Sequence, residues 1–176
     1  MLANVLNDPI LLGYVVLSAT ILTTIFYRTC RKKSKHYFKI KSADRALDVV
    51  GAISCPKRAF GYLRKVDPFV FEEMVLSAMA KYGYKIKRNR RYTGDGGIDG
   101  QVKIDGDWCL IQCKRYSNYI NNKHLTEFID LCERKGCKGL FVHSGRTGKK
   151  CLVSISSSVD VKIISGSGLL RLLKKI

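Results

Sequence analysis

The sequence predicts an α/β domain with a small mixed sheet, preceded by one transmembrane helix. Three observations lead to this prediction. Residues 10–27 form a run of 18 residues without a charge. Helix-like and strand-like segments alternate from Asp67 onward, and an Asp-Gly pair separates two of the strand-like segments, as in a tight hairpin. The 176 residues suffice for one domain and a short appendage.

The uncharged run is predicted to be a single-pass membrane anchor. As an α-helix, 18 residues span about 27 Å, close to the hydrocarbon thickness of a bilayer. Asp8 and Pro9 suit a helix start, as the capping residue and the first-turn residue. We therefore assign residues 1–9 to a short extracytoplasmic tail and residues 10–27 to the helix.

The residues after the run predict its orientation. Residues 28–43 contain seven Lys and Arg residues and no acidic residue. The positive-inside rule puts this side in the cytoplasm, so we expect an inner (cytoplasmic) membrane protein with a cytoplasmic domain. A cleaved signal peptide is one alternative, although its basic residues would precede the apolar stretch. A buried core helix is the other, because 18 residues is near the lower limit for spanning.

The charge of the chain predicts a polyanionic partner. Lys and Arg number 32 against 14 Asp and Glu, which gives a net charge of +18. Residues 1–27 contribute a single Asp, so residues 28–176 carry +19. Such an excess suits DNA or anionic membrane lipid, with an adaptation for solubility as the alternative. The seven cysteines form no C-x-x-C pair, which argues against a disulfide framework and fits a reducing cytosol.

The chain between the anchor and the regular pattern is basic and mixed. We interpret residues 28–66 as a juxtamembrane connector that packs on the domain or on anionic lipid, with a short helix near 43–52. Residues 67–176 then form the domain. Its predicted order is helix 67–82, strand 85–88, a loop at 90–97, strands 98–104 and 107–115, helix 122–135, strand 139–143, helix 148–157, strand 159–164 and helix 168–175.

The register of the central hairpin follows from its turn. If Asp105 and Gly106 are the two-residue loop, Gly100 faces Ile111 and Val102 faces Cys109 across the strands. That pairing makes one face of the hairpin apolar and buried. A different loop length would shift the pairing by one residue and exchange the faces.

The other face of this hairpin gathers polar groups. Asp99 is expected opposite Gln112, with Cβ atoms roughly 5 Å apart, and Lys114 about 7 Å further along. A divalent cation prefers oxygen ligands, which Asp99, Gln112 and the carbonyl of Cys113 would supply, with Glu72 as a further ligand or base. Lys114 would stabilise charge on a phosphate. The alternative is an ordinary turn cap followed by outward residues of an edge strand.

Three ordered segments resemble the Mrr-type restriction endonuclease catalytic domain, a branch of the PD-(D/E)xK nuclease superfamily in which Gln replaces one acid. They are Phe71–Val75, Gly96–Asp99 and Gln112–Tyr116, and the resemblance covers about residues 67–176. It implies a restriction-endonuclease-like core and a DNA endonuclease that uses Mg²⁺ or Mn²⁺. The implied catalytic set is Asp99, Gln112, Lys114 and Glu72.

The chain departs from that family in one respect. The anchor and connector stand where Mrr-like enzymes often have a separate DNA-reading domain, so we expect low intrinsic sequence specificity. Cutting both strands usually needs two sites, which suggests a homodimer. A non-catalytic membrane-tethered DNA-binding protein on the same fold is the alternative function.

Basic residues near the predicted site are candidate DNA-phosphate contacts, although a solvated basic face would have the same composition. His124, on the predicted helix 122–135, is weighed as a proton carrier, but a surface histidine is the commoner role. The candidate contacts are Lys87, Arg88, Arg90, Arg91, Arg115, Lys123 and Arg146.

Overall fold

The computed structural model describes residues 9–89, 97–158 and 160–174. The chain divides into two units, Met1–Phe38 and Lys39–Ile176. The division falls within the first helix, α1 (Pro9–Ala52).

The first unit contains an apolar helical segment. Pro9–Arg28 has a mean hydropathy of 2.0, and its side chains are exposed. Its hydroxyl groups donate to backbone carbonyls three residues earlier, as in Thr20 to Leu17 at 2.8 Å, which removes the cost of a free hydroxyl in an apolar medium. This is the one helix in the described part of the chain that is long and apolar enough to cross a bilayer, by length and composition. A signal sequence would satisfy the same test, whereas a buried core helix would not have this exposure.

The second unit is a five-stranded mixed sheet covered by helices on both faces. After residues 39–52 of α1, its elements are α2 (Pro56–Leu63), α3 (Pro68–Lys81), β1 (Ile86–Arg88), β2 (Gly100–Ile104), β3 (Asp107–Lys114), α4 (Asn122–Lys135), β4 (Gly139–His143), α5 (Lys149–Ser156), β5 (Val161–Ile164) and α6 (Gly166–Lys174). The predicted fold class, a mixed sheet flanked by helices, is confirmed.

The strands follow the sheet in chain order, β1-β2-β3-β4-β5. The β1–β2 and β2–β3 pairs are antiparallel, and the β3–β4 and β4–β5 pairs are parallel. β3 is therefore the central strand, which excludes the edge-strand interpretation of Gln112 and Lys114. The parallel pairs are connected by α4 and α5, as such crossovers require.

The hairpin has the predicted register. Gly100 pairs with Ile111 and Val102 pairs with Cys109. Asp105 and Gly106 have φ of 50° and 94°, the positive values that a two-residue type I′ turn requires at both positions. The alternation of apolar residues and the Asp-Gly turn thus agree, which fixes which side chains of β3 share a face.

The first hydrophobic core lies on the face covered by α3 and α6. Its buried side chains include Leu47, Met74, Ile111 and Leu173. The end of α1 and all of α2 also pack here, so the packing extends upstream of Asp67. The predicted boundary at 66/67 marks a change in charge pattern and stays a prediction.

Helix α2 was not predicted from the sequence. It has eight residues, beginning with Pro56 in the first turn, and buries Ala59 and Leu63. Eight residues are fewer than the window of about 11–18 over which hydrophobic periodicity identifies a helix.

The second core lies on the opposite face, under α4 and α5. It includes Leu110, Leu125, Phe128 and Phe141. Since β3 contributes Leu110 here and Ile111 to the first core, both faces of the central strand are buried. The sequence predicted one buried face and a polar second face, so this second core is a correction. The apolar side of the strongly amphipathic α4 packs on this face of the sheet, and only the end of β3 remains polar.

Candidate active site

Asp99 lies at the start of the hairpin, one residue before β2. Its backbone N–H donates to the Ile111 carbonyl at 2.8 Å. Its carboxylate Oδ2 accepts the backbone N–H of Cys113 at 2.6 Å. Because the N–H and C=O of one strand residue point to the same side, we expect the Cys113 carbonyl to open toward the same edge as the carboxylate. The sheet itself therefore holds Asp99 in position.

Burial makes the charge of Asp99 costly. It raises the pKa of the carboxyl to about 6 from the ordinary 3.8, against the opposing effects of the Cys113 N–H and the Lys114 ammonium. A carboxyl with this pKa is largely ionised at neutral pH, but its ionised form would be stabilised further by a nearby positive charge. That is a property of a metal ligand or a catalytic group.

Glu72 projects from α3 toward the same region and is half-buried. Burial and the negative charge of Asp99 raise the pKa of Glu72 to about 8, while Lys114 lowers it. Helix and hairpin thus bring two carboxyl groups and one ammonium within electrostatic reach of each other. Two neighbouring carboxylates repel each other until a cation or a shared proton compensates them.

Gln112 is almost fully buried, with 6% of its surface exposed. Its amide Nε2 donates to the Gly97 carbonyl at 2.6 Å, which fixes the orientation of the amide. Its Oε1 accepts no hydrogen bond from any residue that the structure describes. A buried acceptor without a partner costs about 1–3 kcal/mol, so this oxygen is suited to a ligand.

The donor set fits a hard divalent cation. It comprises carboxylate, amide and backbone carbonyl oxygens, and Mg²⁺ takes oxygen ligands, often one or two carboxylates plus water. The described residues contain no group of three or more His, Cys, Asp and Glu side chains arranged to hold a metal. The fit therefore depends on the open Gln112 oxygen and the backbone carbonyl as well as on the acids.

Lys114 borders a cleft between the end of β3 and helix α4. The cleft has a volume of about 330 Å³. Its lining residues include cationic, amide, imidazole and carboxylate groups: Gly97, Gln112, Lys114, His124, Glu127 and Phe128. It is therefore a polar recess beside the candidate ligands, with space for a phosphate group.

The structure adds a contact that the sequence did not indicate. The Tyr116 hydroxyl lies 2.5 Å from Nδ1 of His124, and His124 lines this cleft. Tyr116 follows Lys114 by two residues, which was a signal that it faces the same way. The position of His124 depends on how α4 packs on the sheet, which hydrophobic periodicity does not specify.

The candidate DNA contacts on β1 differ in their surroundings. Lys87 is exposed, and its Nζ lies 4.1 Å from the centre of the Trp108 ring. Arg88 instead forms an ion pair of 2.9 Å with the buried Glu73 and donates to Ser77. A buried carboxylate needs such a partner, so a DNA contact by Arg88 would compete with this pair. Arg90 and Arg91 lie outside the described residues.

The remaining candidate contacts are exposed. The Arg115 guanidinium donates to the Arg64 carbonyl. Lys123 lies 3.9 Å from Glu127, a separation typical of a weak surface pair. Arg146 remains accessible beside the loop after β4. Their DNA contacts stay predictions.

Comparison with known proteins identifies related sequences. Residues 63–173 match the family Mrr_cat, described as a restriction endonuclease. The type IV methyl-directed restriction enzyme EcoKMrr of Escherichia coli (strain K12) is 28% identical over 119 residues, which cover 63% of this chain and 39% of that enzyme. The chain therefore spans less than half the length of this relative.

Two solved structures are also similar. The protein of unknown function AF1548 has 15% identity and a TM-score of 0.43, covering 56% of this chain and 58% of that chain. SfsA from Pyrococcus furiosus, in complex with Ca²⁺, has 15% identity and a TM-score of 0.34, covering 55% and 54%. Both TM-scores are below 0.5, so neither bears on the chemistry of the site.

Proposed function

The chain belongs to the Mrr_cat family of restriction endonuclease domains through residues 63–173, and on that premise we propose that it is a metal-dependent DNA endonuclease that hydrolyses phosphodiester bonds. Mg²⁺ or Mn²⁺ is the proposed cofactor. The proposed catalytic residues are Asp99, Gln112, Lys114 and Glu72. The observation that carries the proposal is the buried Gln112 Oε1, which has no described partner and lies beside Lys114 in the sheet that fixes Asp99.

Four oxygen donors are proposed to hold the cation. They are the carboxylates of Asp99 and Glu72, Oε1 of Gln112 and the backbone carbonyl of Cys113. When bound, a divalent cation supplies charge that polarises the phosphate and lowers the pKa of water. The Cys113 N–H orients Asp99 and the Gly97 carbonyl orients Gln112, so two donors are held before binding.

Lys114 is proposed to stabilise the negative charge that develops on the phosphate and to orient the attacking water. Its ammonium borders the same cleft as Gln112, and it lowers the pKa values of Asp99 and Glu72. A preorganised cation in a recess of this kind acts more strongly than one in bulk water. Glu72, with its raised pKa, is suited to accept a proton from that water if it is not a ligand.

Several finer features are part of the same proposal. DNA is the proposed polyanionic partner of the basic chain, and low intrinsic sequence specificity is part of the proposal. The apolar segment is proposed to anchor the chain in the inner membrane with the nuclease domain in the cytoplasm, next to anionic lipid. A homodimer would supply two catalytic sites for two strands.

The decisive experiment uses the full chain in detergent micelles with supercoiled plasmid DNA. We expect nicking with Mg²⁺ or Mn²⁺, none with EDTA, and a loss of about 100-fold or more in Asp99→Ala and Lys114→Ala. Asp105→Asn, in the exposed turn of the same hairpin, is the matched control and should cut normally.

Two results would contradict the proposal. Cleavage that persists in EDTA would remove the metal dependence. Retarded migration of DNA without cleavage under any divalent cation would favour the non-catalytic, membrane-tethered DNA-binding protein.

A further inference from the structure

Tyr116 forms a hydrogen-bonded pair with His124, which lines the cleft. The phenolic oxygen and imidazole Nδ1 are 2.5 Å apart, and the two rings lie nearly parallel with centroids 6.1 Å apart. Tyr116 is held from the other side, because its backbone N–H and C=O both bond to the Ser144 hydroxyl at 3.0 Å. The pair is therefore fixed to the ends of β3 and β4.

The direction of the hydrogen bond in this pair is linked to which imidazole nitrogen carries the proton. Burial raises the pKa of Tyr116 above the ordinary 10.0, so its hydroxyl stays protonated at neutral pH. When the phenol O–H donates to Nδ1, a neutral imidazole carries its hydrogen on Nε2. In that arrangement His124 is a donor at Nε2.

The position of His124 makes an anion the expected acceptor for this N–H. His124 lines the same cleft as Gln112 and Lys114, and it lies in the first turn of α4, whose partial positive charge favours anions. Glu127 lies on the same cleft wall, but its oxygen is 3.9 Å from the Lys123 ammonium, an exposed pair. An anion in this recess would meet an ammonium and an imidazole N–H.

We propose that Nε2 of His124 donates a hydrogen bond to a non-bridging oxygen of the DNA phosphate in this cleft, and that Tyr116 is the positioning residue that fixes its tautomer. This rests on the proposed nuclease function and deepens it by adding a substrate contact outside the Asp99, Gln112, Lys114 and Glu72 set. The contact orients the phosphate opposite Lys114, which supplies charge without fixed direction.

Two substitutions of His124 separate the donor from the structural contact. Asparagine places an amide near the position of Nδ1, so His124→Asn keeps a partner for Tyr116 but loses the reach of Nε2. Glutamine places an amide near the position of Nε2, so His124→Gln keeps a donor. In the full chain with plasmid DNA and Mg²⁺, we expect kcat to fall about 10- to 100-fold in His124→Asn and less than about 5-fold in His124→Gln.

Tyr116→Phe tests the positioning role. It should lower kcat less than His124→Asn does, and the double variant should be no slower than His124→Asn, because Tyr116 acts only through His124. DNA affinity, measured by anisotropy in Ca²⁺, should change less than about twofold in all variants, and thermal unfolding monitors their folding.

The outcomes distinguish the two proposals. Equal kcat in wild type and His124→Asn, additive losses in the double variant, or losses that follow the unfolding temperature would overturn the role of the pair while leaving the nuclease proposal intact. If wild type and Lys114→Ala are both inactive with every divalent cation, the nuclease proposal fails and the role of His124 fails with it.

Discussion

The Asp99 carboxylate accepts a hydrogen bond from the backbone N–H of Cys113 at 2.6 Å. Near the end of β3, this side chain therefore accepts the hydrogen bond that a backbone carbonyl of the neighbouring strand would otherwise accept. The contact joins the residue before β2 to the residue before Lys114. Its geometry depends on the pairing of Gly100 with Ile111, which the turn at Asp105 and Gly106 sets. Asp99 therefore has a structural role as well as the proposed chemical one, and the two are separable.

Substituting Asp99 by asparagine or by alanine should separate its structural role from its proposed catalytic role. Asparagine keeps an oxygen that accepts the Cys113 N–H, whereas alanine leaves that backbone donor without it. We expect both variants to lose cleavage by about 100-fold or more. Asp99→Ala should also be less stable than Asp99→Asn, by about 1–2 kcal/mol in urea unfolding. Equal stability of the two variants would mean that the bond does not support the fold.

Glu72 should make the domain less stable as the pH rises. Its pKa is about 8 in the folded chain against an ordinary 4.5, so between these values the folded state binds more protons than the unfolded state. The free energy of unfolding then falls with rising pH. Glu72→Gln should be more stable than wild type at pH 8, on the order of 1 kcal/mol after allowance for solvent screening, and equal to it near pH 4.

The control for this experiment is Glu133→Gln on the exposed end of α4, which should leave the difference between pH 4 and pH 8 unchanged. If Glu72 is a ligand, Mg²⁺ should also raise the unfolding temperature of wild type more than that of Glu72→Gln at pH 8, because the variant lacks one carboxylate. Parallel stability curves for wild type and Glu72→Gln would contradict the burial of this carboxyl.

Gly97 should be required for the position of Gln112. It has φ of 84°, and a Cβ at this residue would overlap Nε2 of Gln112. Gly97→Ala should therefore displace the amide and reduce cleavage by about 10-fold or more, in addition to the backbone cost of about 1 kcal/mol.

Gly83→Ala is the matched control for Gly97→Ala. Gly83 has a similar φ of 88°, but nothing lies within 4 Å of a Cβ there. It should lose comparable stability in thermal unfolding and keep its cleavage rate. Equal activity losses in the two variants would assign the effect to backbone strain alone.

Substituting Arg88 tests whether this residue stabilises the fold or contacts DNA. Its guanidinium pairs with Glu73, of which 2% is exposed, so Arg88→Met should destabilise the domain by about 2 kcal/mol. Lys87→Met, its exposed neighbour, should lose at most about 1 kcal/mol of stability, from its contact with Trp108, and should weaken DNA binding with a smaller salt dependence. If Arg88→Met reduces the salt slope of DNA binding and not stability, the ion pair is dispensable and the DNA contact real.

The elements of the domain were predictable where a local pattern is strong. Asn122–Lys135 and Gly139–His143 have the predicted bounds, because the helix has a clear cap at Asn121 and a left-handed Gly136, and the strand is continuously apolar. The hairpin register followed from one turn. These features depend on residues that are close in the chain, which is why the sequence specifies them.

The features that the sequence did not reveal depend on how separate elements pack together. The second core was missed because α4 covers the polar-looking face of β3 through Phe128 and Leu125, and an alternating strand pattern does not report a helix that packs on it. Arg88 looked like part of a basic surface because its partner Glu73 is 15 residues away. The Tyr116–His124 contact joins residues only eight positions apart, but it depends on how α4 packs on the sheet.

The orientation of the apolar segment can be tested by labelling. In the proposed topology, residue 3 is outside and the exposed Cys30 and Cys55 are in the cytoplasm. A membrane-impermeant maleimide should label Ala3→Cys on intact spheroplasts but label Cys30 and Cys55 only after lysis. Release of a shorter chain without residue 3 would indicate a cleaved signal sequence. A second arm, Leu17→Arg with Ile21→Arg, should move the chain out of the membrane fraction, because each Arg at the centre of a spanning helix costs about 2.5–3.5 kcal/mol.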